Sequence, residues 1–276
     1  MSTSSYYEWR SRPASRRDLE QAYLIEEIRD VHAASYGTYG HRRVHAELTM
    51  GRRREVSQGR VERLMRAAGL QGVHRRRLRG CTRRDEAAAP SQDLVERNFT
   101  PDAPDRLYVA DVTQHRTGQG WLYCAVVIDC FSRRVVGWSM ADHIRSELVV
   151  DALQMAIWNR RPLPGAVHHS DHGSTYTSWA FGHRLREAGL LGSMGSIGDC
   201  FDNSVAESFF ATLQTEQLDR SSWPTREGLA NAIFSFIEGF YNPHRRHSTI
   251  GYLSPADYEA KYHHSVPTGP QTETAA

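Results

Sequence analysis

The chain of 276 residues has few cysteines, a single lysine and no long apolar run. Its four cysteines include no Cys-x-x-Cys pair, so they predict reduced thiols rather than a disulfide framework. No stretch of roughly eighteen or more apolar residues occurs, which excludes an apolar membrane-spanning helix. The opening residues, MSTSSYYEWRSRP, lack the apolar centre of a secretory signal. Together these absences predict a cytoplasmic protein.

Charge is distributed unevenly along the chain, although the formal net charge is only +2. Residues 1–84 contain 19 arginines and 9 acidic residues, a net charge of +10, and the remainder of the chain carries −8. A basic part followed by an acidic part suits a protein that contacts phosphates with one and binds metal ions with the other. The simpler alternative is a solvated charged face with neither role.

Three short helices are predicted in the N-terminal part, over 18–35, 42–49 and 57–68, because apolar residues recur there at helical spacing. Ser57 is a good N-cap for the third helix. Three helices with arginine-rich connections resemble a helix-turn-helix module, so residues 1–73 are predicted to form a DNA-binding or assembly region. The alternative is a three-helix bundle that only packs against the core or another subunit. The predicted phosphate contacts are Arg42, Arg43, Arg52, Arg53, Arg54, Arg60 and Arg63.

Residues 74–97 lose helical periodicity and predict a basic linker. From residue 98 the pattern changes to three strands separated by turns, LYVADVTQH, WLYCAVVIDC and VVGWSMA, which predict consecutive antiparallel strands. Helices and strands then alternate, and this order predicts an α/β fold with a mixed sheet covered by helices. The predicted catalytic core spans 98–262, and residues 263–276 are predicted to be disordered.

Three acidic residues are candidates for chemistry because of the elements that carry them. Asp111 lies within the first predicted strand, where a carboxylate is unfavourable unless a partner, a metal ion or water meets it. Asp171 follows a short strand, and Glu207 lies in the first turn of a predicted helix. A turn aspartate and a helix-terminal glutamate are the simpler explanations for these two. Three such carboxylates also offer the oxygen ligands that Mg²⁺ prefers.

Asp111, Asp171 and Glu207 resemble the DDE triad of transposases and retroviral integrases, with 35 residues between the last two. Over residues 6–262 the chain is similar to the second-frame (OrfB-type) transposases of frameshifting bacterial insertion sequences. The segments that carry this resemblance, in family order, are VADVTQH, LYCAVVIDCFSRRVVGW, HHSDHGSTYTS, SMGSIGDCFDNSVAESFFATLQTE and FYNPHRRHSTIGYLSPADYE. The resemblance implies a ribonuclease H-like, five-stranded mixed sheet in which the three acids meet.

The resemblance also implies an activity and its partners. The three acids are expected to bind Mg²⁺ or Mn²⁺, two ions in all, while the enzyme cleaves DNA at the ends of an insertion sequence and joins the freed 3′-hydroxyl to another strand. A homo-oligomer on DNA is implied, with the first-frame product of the same element as fusion or partner. Two alternatives stay open: a ribonuclease H-type nuclease that cuts without joining, and a non-catalytic DNA-binding or assembly protein of the same fold.

Other residues are candidates for DNA contact or for structural roles. Gln214 falls nearly on the Glu207 face of its helix, because seven residues make about two turns. Many relatives carry a basic residue there, so Gln214 is expected to contact DNA by a hydrogen bond. Arg245 and Arg246 are predicted to face DNA or, alternatively, to form a basic turn that docks the C-terminal segment. Asp129 is predicted to be a structural acid at a strand end.

Side chains near the predicted site are expected to have local roles. No covalent protein intermediate is implied, so Ser170, Ser174 and Tyr176 are predicted only to form local hydrogen bonds. The histidines around Asp171 have no paired cysteines beside them, which disfavours a zinc site. His172 is expected either to help position phosphate or water, or to be an ordinary loop histidine.

Overall fold

The computed structural model describes residues 13–73, 99–171, 173, 175–194 and 204–265. The chain divides into two compact units, Met1–His74 and Arg75–Ala276, which we call the N-terminal unit and the C-terminal unit. In the described part of the chain, no helix combines the length and the apolar character needed to cross a membrane. The predicted linker at 74–97 lies outside the described residues.

The described residues of the N-terminal unit form the three predicted helices. They are α1 (Arg16–Ala34), α2 (His41–Ala46) and α3 (Gln58–Ala67). A capping box begins α1, since the Ser15 side chain accepts a hydrogen bond from the Asp18 N–H and the Asp18 carboxylate accepts one from the Ser15 N–H. Ser57 caps α3, as predicted, by accepting a hydrogen bond from the Arg60 N–H.

The second helix is shorter than predicted, because its continuation is a π-helical turn, Glu47–Gly51. In this turn the Thr49 hydroxyl approaches the carbonyl oxygens of His45 and Ala46 at 2.9 and 3.3 Å. Such side-chain bonds to the preceding turn compete with regular helix geometry. Apolar side chains from all three helices form the core of the unit: Leu24, Ile28, Val31, Val44, Leu48, Val61, Leu64 and Met65.

The C-terminal unit is built on a mixed sheet, to which the described residues contribute five strands. They are β1 (Leu107–Thr117), β2 (Gly120–Asp129), β3 (Val135–Ala141), β4 (Val167–Ser170) and β5 (Leu191–Met194). The order across the sheet is β3-β2-β1-β4-β5. The first three strands pair antiparallel, whereas β4 runs parallel to both β1 and β5. This is the ribonuclease H-like arrangement that the resemblance implied.

Two helices cover one face of the sheet, α4 (Ser146–Arg160) and α5 (Trp179–Glu187). Their apolar side chains share one buried core with residues of β1, β2 and β3. Gly137 on β3 permits the close approach of α4, because a Cβ at this position would lie 2.2 Å from the Ala152 carbonyl oxygen. A side chain here would force the helix away from the sheet.

The opposite face carries α6 (Ser204–Glu216) and α7 (Arg226–Phe236). α6 contacts β1 and β2, and α7 contacts β2. Tyr108 and Ala110 belong to the core under α4 and α5. Because side chains alternate along a strand, Asp111 is directed towards the face on which α6 lies.

The C-terminal segment ends in a helix that the sequence did not predict. α7 continues as a π-helical turn, Ile237–Tyr241, and α8 then spans Pro255–Ser265. The prediction of disorder from residue 263 is therefore wrong at 263–265, which are helical. Residues 266–276 lie outside the described residues.

A buried polar cluster anchors α8 to the C-terminal unit. The Glu259 carboxylate accepts hydrogen bonds from Arg160 of α4 at 2.9 Å, from Arg134 at 2.7 Å and from the Ser132 hydroxyl at 2.8 Å. Burial raises the pKa of Glu259, but the hydrogen bonds and charge of Arg160 outweigh burial and hold that pKa below its ordinary value. A long-range ion pair of this kind cannot be recognised from sequence spacing.

Asp129 lies in the same cluster, and its contacts are structural, as predicted. Its carboxylate accepts hydrogen bonds from the N–H groups of Asp105 at 2.6 Å and Ser132 at 2.9 Å. Burial raises the pKa of Asp129 to about 6, although these hydrogen bonds act against it. Asp129 pairs across the sheet with Tyr108, near the start of β1, whereas Asp111 pairs with Val126 further along.

Candidate active site

Asp111 and Asp171 are brought to one region of the sheet by the parallel pairing of β1 and β4. In this register Val109 lies opposite His169. Asp111 and Asp171 each follow two residues later, so both lie where β4 ends. The carboxyl ends of parallel strands are where open α/β sheets bind their ligands.

Backbone N–H groups orient both carboxylates. Asp111 Oδ1 accepts a hydrogen bond from the Val112 N–H at 2.8 Å, and Asp171 Oδ1 accepts one from the Gly173 N–H at 3.0 Å. A Cβ at position 173 would lie 2.9 Å from Asp171 Oδ1. Gly173 therefore allows the chain to turn closely around the Asp171 carboxylate without displacing it.

Glu207 lies in the first turn of α6 and is exposed, as is Asp171, while Asp111 is half-buried. The pKa of Asp111 is raised to about 7: burial is the largest cause, the Val112 hydrogen bond acts against it, and the charges of Asp171 and Glu207 add to the rise. Negative charge from both other acids thus acts on Asp111. The three predicted residues share one electrostatic environment, although they are far apart along the chain.

The donor chemistry of these acids fits a hard divalent cation, which takes oxygen ligands and keeps several waters. Their mutual repulsion is the kind of cost that a bound cation removes. Within the described residues, however, no three His, Cys, Asp or Glu side chains lie close enough together to hold one metal ion. The three carboxylates therefore act on one another electrostatically, but they do not surround one position as a complete set of metal ligands.

Residues that precede Glu207 in the sequence bear on its placement. In the sequence Asp202, Asn203 and Ser204 offer side-chain oxygens of the kind that cap a helix; Asp202 and Asn203 lie outside the described residues, and α6 begins at Ser204. His172, predicted beside Asp171, also lies outside them.

Gln214 and Glu216, further along α6, have different surroundings. Glu216 is 7% exposed and is not part of the candidate site, because nine residues after Glu207, at about 100° per residue, it lies on the opposite face of α6. The Gln214 amide donates a hydrogen bond to the Asp219 carboxylate. For the predicted contact with DNA, the Gln214 amide would have to give up its hydrogen bond to Asp219 and form one to the DNA instead.

Arg245 and Arg246 occupy positions that argue against the predicted DNA contacts. Arg245 is 3% exposed and forms two hydrogen bonds with the Glu216 carboxylate, at 2.6 and 2.7 Å. Arg246 is 7% exposed, and its guanidinium donates to the Tyr252 carbonyl oxygen at 3.2 Å. The alternative prediction, a basic turn that docks the C-terminal segment, describes these contacts better.

Asn242 shows how the same segment is fixed to the sheet. Its side-chain amide bonds both backbone groups of Val135, accepting from the N–H at 3.0 Å and donating to the carbonyl oxygen at 2.9 Å. This pairing satisfies backbone groups at the start of β3, the edge strand of the sheet.

The predicted phosphate contacts of the N-terminal unit differ in their surroundings. Arg52 lies 3.5 Å from Asp30, Arg54 lies 3.5 Å from Glu27, and Arg43 stacks over the Tyr39 ring. The others form no ion pair within the described residues: Arg42, Arg53 and Arg63, which are exposed, and Arg60, which is half-buried.

The histidines before Asp171 are buried in the C-terminal unit. His168 packs edge-on against Phe181, and burial lowers its pKa to about 4. His169 Nδ1 lies 2.9 Å from the Ser193 hydroxyl. Both therefore fill structural positions between neighbouring elements.

Tyr176, to which the sequence assigned only a local hydrogen bond, lies in the loop between Asp171 and α5. It is 4% exposed, and the charges of Asp111 and Asp171 both raise the pKa of its hydroxyl, after burial. The only sequence signal for this placement is its position five residues after Asp171.

Three family models match the chain. An HTH-like domain matches residues 18–77, and two integrase core domain models match residues 101–200 and 189–255. The first match covers the N-terminal helices, and the other two include Asp111, Asp171 and Glu207.

Sequence relatives extend over most of the chain. The protein assigned as transposase to insertion sequence element IS986/IS6110 of Mycobacterium tuberculosis is 40% identical over 267 residues, which cover 94% of this chain and 95% of the relative. The transposase for insertion sequence element IS629 of Shigella sonnei is 39% identical over 269 residues, covering 95% and 89%. Transposase InsF for insertion sequence IS3A of Escherichia coli K12 is 39% identical over 197 residues, covering 71% and 68%.

Among solved structures, a chain of the simian T-cell lymphotropic virus intasome in complex with PP2A regulatory subunit B56 gamma superimposes with a TM-score of 0.48 at 15% identity, covering 90% of this chain and 78% of that chain. A superposition this distant adds nothing to the assignment from sequence relatives. With relatives near 40% identity over nearly its whole length, this chain belongs to the family of bacterial insertion-sequence transposases that join an HTH-like domain to an integrase core domain.

Proposed function

We propose that the chain is a DDE polynucleotidyl transferase that cleaves DNA at the ends of its insertion sequence and joins the freed 3′-hydroxyl to a target strand. Asp111, Asp171 and Glu207 are its proposed catalytic residues. The observation that carries this proposal is the parallel pairing of β1 and β4, which brings Asp111 and Asp171 to one end of two neighbouring strands, with the helix of Glu207 packed against β1. The charges of Asp171 and Glu207 both act unfavourably on the partly buried Asp111, and such uncompensated like charges are characteristic of functional sites.

Mg²⁺ or Mn²⁺ fits the proposed ligands, and two ions suit a phosphodiester reaction. When bound, such ions activate the attacking oxygen and stabilise the leaving oxygen. The residues of the chain supply charge and orientation: Asp111 and Asp171 are held by the Val112 and Gly173 N–H groups, and the helix that carries Glu207, α6, packs against β1. Neither Ser170 nor Tyr176 is needed as a nucleophile, because water or a DNA hydroxyl attacks.

DNA is the proposed substrate and partner of both units. A homo-oligomer on DNA and a first-frame product of the same element, as fusion or partner, complete the proposal. A substrate on the bacterial chromosome places the proposed reaction in the cytoplasm, at the nucleoid.

Labelled DNA that carries the ends of the insertion sequence tests the proposed chemistry. With Mg²⁺, the full-length protein is expected to convert this DNA into shortened strands and into products longer than the substrate, and EDTA is expected to prevent both. Shortened strands alone would identify a nuclease that does not join. If neither product forms, while the protein still binds the DNA in an electrophoretic shift, the non-catalytic alternative is favoured.

Arginines without an ion pair are expected to supply more DNA affinity than arginines that already bind a carboxylate. Replacing Arg42, Arg53 and Arg63 together by alanine is expected to weaken DNA binding by roughly tenfold or more near 0.1 M salt. The slope of log affinity against log salt should fall by about 3, because each phosphate contact releases counterions. Fluorescence anisotropy with labelled duplex DNA measures both.

The matched control removes the same number of charges from the same unit. Arg16, Arg29 and Arg66 each bind a glutamate of their own helix, at 3.1, 2.6 and 3.0 Å. Their joint replacement by alanine should leave the salt slope nearly unchanged. Equal losses from the two triple variants would show that net charge alone, and not these positions, determines affinity.

A further inference from the structure

The first residue of α5, Trp179, is a tryptophan that the fold leaves in solvent. Its exposed fraction is 76%, although tryptophan is highly buried on average. Phe181 and Leu185 anchor α5 in the core, and at about 100° per residue both point about 120° or more away from Trp179. A single exposed apolar side chain is common, so its surroundings decide whether it has a role.

Three residues share the exposed face of α5 with Trp179, within about 60° of it: Gly182, His183 and Arg186. We call these four residues the α5 outer face. The His183 ring lies beside the indole, with 4.8 Å between ring centroids and an interplanar angle of 31°. Arg186 is exposed and forms no ion pair among the residues that the structure describes. An oriented indole beside an uncompensated cation is the combination that binds single-stranded nucleic acid.

Gly182 lies in the interior of α5, where glycine is less favourable than alanine. A Cβ at this position would meet only the end of the Arg186 side chain, 3.5 Å from Nη1, and its φ is not left-handed. The guanidinium therefore extends back along the helix beside Gly182, towards Trp179. Neither backbone conformation nor packing requires this glycine, whereas the close approach of another molecule does.

The α5 outer face begins at the end of the C-terminal unit that holds the candidate active site. The Gly173 N–H donates to the Asp171 carboxylate at 3.0 Å, and the Thr177 N–H donates to the Gly173 carbonyl oxygen at 3.2 Å. Trp179 follows Thr177 by two residues. This path keeps the Trp179 backbone within about 20 Å of the Asp171 carboxylate, a distance that a few nucleotides of a DNA strand span.

We propose that Trp179 stacks on an unpaired base of the DNA strand bound at the active site, while Arg186 binds a phosphate of the same strand. This inference rests on the proposed function and deepens it, because it names where the strand continues beyond the reacting phosphate. The base is unpaired because base faces inside a duplex are covered by their neighbours. Stacking on an indole accepts any base, so the contact holds the strand without reading its sequence.

The test uses a short single-stranded oligonucleotide that contains 2-aminopurine, whose fluorescence is quenched by stacking. The full-length wild type is expected to quench it, and Trp179→Ala is expected to lose the quenching and to bind the strand roughly tenfold more weakly in fluorescence anisotropy. Trp179→Ala should keep the slope of log affinity against log salt. Arg186→Ala should reduce that slope by about 0.7, because it removes one phosphate contact to a single strand.

Trp158→Ala is the matched control. Trp158 on α4 is 74% exposed, and it has no ring contact in the described part of the chain. Arg160, two residues later, donates to the Asp105 carboxylate at 2.6 Å, just before β1 begins. Trp158 therefore lies at the end of the sheet opposite to Asp171, and its variant should bind and quench like the wild type.

Gly182→Gln is a second variant, which leaves the indole in place and covers its surroundings. Glutamine favours a helix more than glycine does, so the melting temperature should stay at or above that of the wild type. Weaker quenching in this variant is expected if a DNA strand lies against the α5 outer face. Wild-type quenching and affinity in both Gly182→Gln and Trp179→Ala would overturn the inference.

The remaining outcomes separate this inference from its alternatives and from the proposed function. Equal losses in Trp158→Ala and Trp179→Ala would show non-specific contacts of exposed indoles and overturn it. Unchanged binding of the strand, together with a smaller oligomer of Trp179→Ala in sedimentation, would assign the face to a second copy of the chain and overturn it too. Quenching that depends on Trp179 in a wild-type protein that never joins end DNA would support this inference and overturn the proposed function alone.

Discussion

Replacing Asp111 by asparagine is expected to reduce DNA joining by at least roughly a thousandfold. Asparagine keeps the shape of the side chain, and its oxygen can still accept the Val112 N–H, but the charge that would hold a cation is lost. The loss should exceed the roughly 10²- to 10³-fold that one missing transition-state hydrogen bond costs. Joining of labelled end DNA, with enzyme in excess over DNA, measures the effect.

The melting temperature of Asp111→Asn shows whether activity is lost because a metal ligand is missing or because the fold is damaged. The Asp111 carboxylate is partly buried and is repelled by Asp171 and Glu207, so a neutral side chain removes an unfavourable interaction. Asp111→Asn is therefore expected to melt in EDTA at or above the wild-type temperature. Asp142→Asn, at an exposed position at the end of β3, is the control and should join DNA normally.

Asp171→Asn and Glu207→Gln extend the same comparison to the other two acids. If the three form one site, each single variant should lose nearly all joining, because groups that act as a unit are not additive. Wild-type joining in all three variants would end the assignment of the triad.

Replacing Glu216 by alanine is expected to lower the free energy of unfolding by about 3–5 kcal/mol. Arg245 would then stay buried, at 3% exposure, with neither of the two hydrogen bonds that Glu216 provides. Denaturation in urea, followed by circular dichroism, measures the change. Asp151→Ala, at an exposed position on α4, should change the free energy of unfolding by only about 0.5 kcal/mol or less.

A double substitution tests the cause of this destabilisation. Glu216→Leu combined with Arg245→Met removes both charges and keeps apolar volume, so it should recover much of the lost stability. If the double variant is as unstable as Glu216→Ala, the loss comes from packing and not from the lost bonds between Glu216 and Arg245. Because Glu216 and Glu207 lie on the same helix, Glu216→Ala is also expected to slow DNA joining.

Local patterns in the sequence were enough to predict the architecture. Alternation along β1 and helical spacing in α1 and α6 are properties of neighbouring residues, and the order of strands and helices restricts the ways in which a sheet can form. Asp111, Asp171 and Glu207 could be predicted because their elements, and the spacing of the last two, match a known family pattern. The cap at Ser57 follows from local chemistry in the same way.

In the C-terminal segment, local sequence patterns did not predict which partners the charged side chains contact. In the sequence, Arg245 and Arg246 stand in a polar, histidine-rich turn that resembles a DNA contact. In the structure, Arg245 binds Glu216, 29 residues earlier, and Glu259 binds Arg160, 99 residues earlier. Whether a basic side chain reaches solvent depends on partners that only the folded chain brings to it.

The sequence by itself determined the fold class and the family and identified the three acids as candidates, because periodicity, turn chemistry and motif spacing are properties of short stretches of chain. The tertiary structure alone decided which charges are paired, which are buried and which act on one another. It shows that Arg245 and Arg246 are buried and bonded to other parts of the C-terminal unit, which the sequence could not show. The physical reason is that burial and electrostatic coupling depend on distances in space between residues that the sequence keeps far apart.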